Sequence, residues 1–211
     1  RNESLLLPRY LRREAIANPH PARDLIREIE RWLGIVKAVG ETSIASGSTT
    51  ASSSVSTGAV TTAAGAVQLL AVYSYLAGGS LNTPTVAGMT AVANVNFADV
   101  AAALAKLTLF RDLRGSSSDA YTIAFAAQTQ DSVRWALIEF TGADTTGTDG
   151  SGAVIQSATD SGDGGGGDQT ATLAAFGSAA NATYGCGAAC VLDLGTAGTG
   201  AGSGFTSDYV L

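Results

Sequence analysis

SVRWALIEFT, residues 132–141, alternates two sets of side chains: Val133, Trp135, Leu137 and Glu139 against Arg134, Ala136, Ile138 and Phe140. A period of two is the signature of a β-strand. Here both sets are largely apolar, as expected of a strand covered on each side, in a two-sheet sandwich or at a subunit interface. Tyr121, Ile123 and Phe125 repeat the alternation upstream. Working outward, the sequence predicts strands near 66–76, 89–97, 104–111, 120–128, 132–141, 152–158, 169–175, 182–194 and 204–211, separated by turn residues. Residues 98–107, ADVAAALAKL, also suit a short helix. The run 59–77 is the most apolar, but Thr61, Thr62, Gln68 and Ser74 interrupt it, so a buried strand is expected there and not a membrane span.

Composition agrees with an all-β chain of small side chains and many turns. The 211 residues include 26 glycines, and charged residues are 14%, against roughly 25% in an ordinary globular protein. Charge is uneven. Residues 1–40 carry +3, and the remainder carries −9 with only four Lys or Arg. An acidic, lysine-poor β region argues against a nucleic-acid surface there, so no nucleic-acid partner is expected.

Pro21 to Gly40, PARDLIREIERWLGIVKAVG, is the one amphipathic helix the sequence offers. Ala22, Leu25, Ile29, Trp32, Val36 and Val39 follow a 3-4-3-4-3 spacing, the seam of a coiled coil. Pro21 suits a first helical position, and Gly40 a stop. Such a short helix is marginal alone in water. Its stripe must be buried on its own β region, against identical helices (most simply three), or on another protein. Ahead of it, residues 1–20 read as an extended arm whose Leu5, Leu6, Leu7, Tyr10, Arg12 and Arg13 would order against a partner. Residues 41–58, ETSIASGSTTASSSVSTG, read as a linker by composition, although Ile44 and Val55 also allow an edge strand. The expected organisation is an anchoring arm (1–20), a helix (21–40), a linker (41–58) and an antiparallel, jelly-roll-like β-sandwich (59–211).

Chemistry has few footholds. His20, the only histidine, lies between prolines in the arm, far from what a serine nucleophile needs. Glu139 is the one acid within a strongly apolar strand, and it is expected to face solvent or to pair with Arg134 or Arg111. Asp144, Asp149, Asp160, Asp163 and Asp168 lie in a glycine-rich stretch but lack the order of a calcium loop. Neither a metal nor a cofactor is expected, and no catalytic residue is assigned. Cys186 and Cys190 lack zinc spacing and read as small buried thiols. Tyr73, Tyr75, Tyr121, Tyr184 and Tyr209 are candidates for stacking on sugars, if exposed.

RWALIEFTGADTTGTDGSGAVIQSAT (134–159) and TLAAFGSAANATYG (172–185) resemble a β-sandwich module of tailed-bacteriophage structural proteins, over roughly residues 59–195. The resemblance implies a non-enzymatic virion component of the decoration, head-fibre or tail-fibre type, made in the host cytoplasm. The arm would dock on a capsid or tail protein, the helix would hold a homotrimer together, and a host-surface glycan is a further partner to expect. No membrane partner is implied.

Overall fold

The computed structural model describes residues 39–98, 104–115, 117–161 and 170–175. They form two antiparallel sheets in a β-sandwich-like arrangement. The strands are β1 (Gly40–Ser52), β2 (Ser54–Thr62), β3 (Val67–Leu76), β4 (Thr85–Val86), β5 (Thr90–Ala98), β6 (Leu104–Asp112), β7 (Ser117–Ala124) and β8 (Gln130–Thr141). One sheet has the order β1-β8-β3-β6-β5, the other β2-β7-β4. The chain crosses between sheets repeatedly: β1, β3, β5, β6 and β8 lie in the first, and β2, β4 and β7 in the second.

The core lies between the sheets. Leu70, Val72, Phe110, Val133, Trp135 and Leu137 from the large sheet meet Val55, Val60, Val86, Tyr121 and Ile123 from the small one. The alternation at 132–141 is therefore resolved: Val133, Trp135 and Leu137 face inward. Arg134, Ala136 and Ile138 share the opposite face with Tyr73, Ala71 and Leu69, their register partners on β3.

Two boundaries differ from expectation. Residues 41–58 are not a linker: most of them form β1 and the first half of β2, and the sandwich begins at Gly40. Gly40, expected to close a helix, opens β1, and Val39 before it is half-buried in no regular element. The compact unit likewise divides from the preceding residues between Val39 and Gly40. Composition misleads here because β1 takes its structure from β8, with which it pairs from Gly40↔Thr141 to Ser52↔Gln130. Strand formation depends on such neighbours more than on intrinsic preference.

Small residues in β1 have a packing reason. Gly47 pairs with Trp135, and a Cβ built on Gly47 would stand 2.7 Å from the indole Cζ2. The ring therefore occupies the space a side chain would need.

The remaining predicted segments divide. Residues 104–112 are strand β6, not helix. The expected strand at 152–158 is instead the end of a 3₁₀ turn, Thr148–Ala153, followed by extended chain outside either sheet. Residues 170–175 also pair with neither sheet. The predicted strands at 182–194 and 204–211 lie outside the described residues.

The strand expected to reach residue 128 stops at Ala124, because the chain turns between the sheets. Phe125 C=O accepts from Gln128 N–H at 3.0 Å, with Ala126 and Ala127 at φ 49° and 65°. Positive φ at both central residues is a geometry that asparagine and glycine normally fill. Left-handed alanine costs roughly 1–2 kcal/mol, part of which glycine gives back through its greater freedom when unfolded. Ala127→Gly is accordingly expected to stabilise the protein by about 0.5–1 kcal/mol, readable as a higher urea midpoint at unchanged slope.

Candidate functional site

Two polar clusters interrupt the inner face of the large sheet, one toward each end. The first is a rung across three strands. Gln68 on β3 pairs with Asp112 on β6 and with Glu139 on β8, and all three are buried. Glu139 Oε2 accepts the Ala63 backbone N–H at 2.7 Å and Gln68 Nε2 at 3.3 Å. Gln68 Oε1 accepts the Arg114 backbone N–H at 3.1 Å. Asp112 Oδ2 accepts from Arg114 Nε and from the Tyr121 hydroxyl, each at 3.1 Å. The Arg114 guanidinium lies 3.8 Å from the Tyr121 ring centroid, a cation–π contact. Thr62 Oγ1 donates to Gly115 C=O at 3.1 Å.

This network ties β2, β3, β6, β7 and β8 together at one end of the sandwich. Burial, with the neighbouring Asp112 carboxylate opposing a second negative charge, pushes the Tyr121 hydroxyl far above its usual range, so it remains a donor. Glu139 therefore departs from expectation. It neither faces solvent nor relies on Arg134 or Arg111; it accepts from a backbone amide and a glutamine. Its signal in the sequence was an acid on the inward parity of an apolar strand, but the partners come from residues 63 and 68, which periodicity cannot link to it.

Above this end, the DTTGTDGSG stretch folds back on the sandwich. Thr146 N–H donates to Asp144 Oδ1 at 2.9 Å, and Gly152 N–H to Thr146 C=O at 2.8 Å. The Thr90 hydroxyl donates to Asp149 Oδ2. Gly150, at φ 68°, lies against Val67, whose Cγ2 would stand 2.9 Å from an added Cβ. Asp144 and Asp149 organise this turn, and Asp144 and Asp160 are exposed to solvent. Among the described residues, no group of three or more His, Cys, Asp or Glu side chains is placed to hold a metal ion.

The second cluster lies toward the β5 side, where the large sheet outreaches its partner. Among the described residues the small sheet has three strands, β4 being of only two residues, and the large sheet has five. On the inner face, Thr108 pairs with Asn94 and Val72, and Lys106 with Asn96 and Ser74. Asn94 and Asn96 are exposed; Ser74, Lys106 and Thr108 are buried. Lys106 Nζ donates to Thr83 Oγ1, in the segment leading to β4. Ser74 Oγ and Thr108 Oγ1 have no partner. Sequence reasoning missed this cluster because its residues lie on three strands and no motif connects them.

Desolvation lowers the Lys106 pKa below 10.5. A depressed lysine pKa means that the unfolded chain binds more protons between the folded and unfolded values, so stability rises with pH across that window. At neutral pH the buried ammonium is a cost, and Lys106→Met is expected to raise the thermal midpoint at pH 7 and to remove the alkaline rise in stability.

The other sequence-derived candidates divide by position. Tyr121, a candidate for stacking on sugars, belongs to the core instead. Tyr73 and Tyr75 are half-buried on the outer face of β3. Leu5, Leu6, Leu7, Tyr10, Arg12 and Arg13, the seam residues Ala22, Leu25, Ile29, Trp32 and Val36, and His20, Asp163, Asp168, Tyr184, Cys186, Cys190 and Tyr209 lie outside the described residues; Val39 has been placed above. No helix among the described residues is long and apolar enough to cross a membrane.

Comparison with known proteins returns no match to a protein family, to a curated protein or to a solved structure.

Proposed function

We propose that this chain is a non-enzymatic structural protein of a virion, a capsid decoration or fibre protein that displays a jelly-roll-like sandwich on an N-terminal anchor. The observation that carries this reading is the strand order. In the large sheet β1-β8-β3-β6 run side by side, and in the small sheet β2-β7-β4. An eight-strand jelly roll wraps its chain in this way, and that wrap recurs in viral coat proteins and in lectins. Here β5 joins the edge of the large sheet beside β6 instead of extending the small one. The acidic, small-residue composition and the resemblance of residues 134–159 and 172–185 to phage structural modules support the same reading.

In this scheme residues 1–20 dock on a capsid or tail protein. Ala22, Leu25, Ile29, Trp32 and Val36 form the seam of a homotrimer, without Val39, which is in no regular element. Three linked arms then turn weak single contacts into durable attachment through effective concentration. Deleting residues 1–20 is expected to abolish co-sedimentation with the particle while leaving the far-UV spectrum of the β domain intact. Unchanged co-sedimentation would overturn the anchoring role.

A second reading, a surface glycan-binding module, is favoured by one specific observation: the amides of Asn94 and Asn96 are exposed two residues apart on β5.

A further inference from the structure

We propose that the outer face of the large sheet carries, across β1, β8 and β3, a surface site for a carboxylate-bearing saccharide, with the Arg134 guanidinium as the carboxylate's partner. Strand register builds the site. Arg134 on β8 stands between Ser48 on β1 and Tyr73 on β3, and Ser132, two residues earlier, stands between Thr50 and Tyr75. The two rungs lie on the face opposite the core residues Val133 and Trp135. Neighbouring strands are about 4.8 Å apart and alternate residues about 7 Å apart along a strand, so the six positions span roughly 10 Å by 7 Å, the footprint of one or two sugar rings. The next rungs of the same face on β8 and β3, Ala136–Ala71 and Ile138–Leu69, are apolar.

Three features point to a ligand. Only four Lys or Arg follow residue 40, and three of them are withdrawn from the surface: Lys106 is buried, and Arg111 and Arg114 are half-buried. Arg114 is also held by Asp112 and by the Tyr121 ring. Arg134 alone is exposed, in a segment of net charge −9, and no described carboxylate pairs with it. Asp131, three residues away, accepts the Ala77 N–H, and Glu139 is turned inward to Ala63 and Gln68. Second, the array reaches the surface: Ser48 and Thr50 are exposed, and Tyr73, Tyr75 and Ser132 are half-buried. Third, the groups complement one another. A tyrosine ring offers an apolar face to the C–H side of a pyranose, and serine and threonine hydroxyls both donate to and accept from sugar hydroxyls.

The charge pattern selects the ligand class. The planar guanidinium fork matches a carboxylate through two parallel hydrogen bonds. One such cation flanked by rings and hydroxyls fits a single carboxylate on a polyhydroxylated ring. A nucleic-acid backbone needs a row of cations, and Arg111, on the same face, lies two rungs away on β6. The inference rests on the glycan-binding reading and not on the anchoring arm, so a failed arm-deletion experiment leaves it standing.

The test is a saturation-transfer NMR titration of the full chain with methyl glucuronide, methyl glucoside and acetate at millimolar concentration. Methyl glucuronide is expected to bind roughly tenfold more tightly than either of the others. Arg134→Gln is expected to remove that advantage and Arg134→Lys to restore part of it, while Asn96→Ala on β5 leaves it unchanged. Arg134 is exposed, so its replacement reads binding without threatening the fold. Equal affinity for methyl glucoside would overturn the carboxylate's role, and equal affinity for acetate would overturn the saccharide's. Binding that survives Arg134→Gln but is lost in Asn96→Ala would overturn this site and leave the glycan reading in place. No binding of either saccharide would overturn both.

Discussion

Trp135→Ala is expected to destabilise the sandwich by about 3–5 kcal/mol, the range for emptying a buried tryptophan site. Trp135 is 5% exposed and sits among the inward residues of both sheets. The structure adds a condition that burial alone does not. Gly47 leaves the room that the indole fills, so a side chain there competes with the ring. Gly47→Val in the native background is expected to cost roughly 1–3 kcal/mol by overfilling the core. In the Trp135→Ala background the same valine enters the vacated volume and regains stability. The two changes should therefore couple by roughly 1–3 kcal/mol in a double-mutant cycle read by urea unfolding. Strictly additive effects would show that the indole does not lie over Gly47.

Glu139→Ala is the second large effect, expected at about 2–4 kcal/mol. It strips the acceptor from the Ala63 N–H and from the Gln68 side chain, and each buried donor left unsatisfied costs roughly 1–3 kcal/mol. Glu139→Gln keeps an amide oxygen for the Ala63 N–H and is expected to lose about half as much. If Glu139 instead lay in solvent or paired with a surface arginine, both variants would stay within about 0.5 kcal/mol of the native protein.

These expectations show where sequence carries information in this chain. β7 and β8 were legible because their apolar residues alternate, and β3 because it lies in the most apolar run of the chain and is buried within the large sheet. β1 and β2 were not, since Ser, Thr, Gly and Ala say little by themselves, and it is β8 that makes a strand of residues 40–52. The turn at 125–128 was hidden by alanines standing where asparagine and glycine usually signal a reversal. Glu139 was conspicuous, but its partners were not, because hydrogen bonds spanning more than seventy residues leave no periodic trace. The Lys106 cluster was illegible for a related reason. Its residues come from β3, β5 and β6, and Lys106 finds its hydrogen-bond partner at Thr83, a pairing that nothing local in TAVANVNFA announces.

The proposed function gives the residues before the Gly40-initiated sandwich an oligomerising and anchoring role. Oligomerisation is the part on which display depends, since a single short arm would hold only weakly. Sedimentation equilibrium of the full chain tests it most directly. The expected mass is three times the 21.1 kDa of one chain, falling to one chain when Leu25, Ile29 and Trp32 are replaced by polar residues. A native protein that sediments as a single 21.1 kDa chain, unaltered by those replacements, would contradict the account.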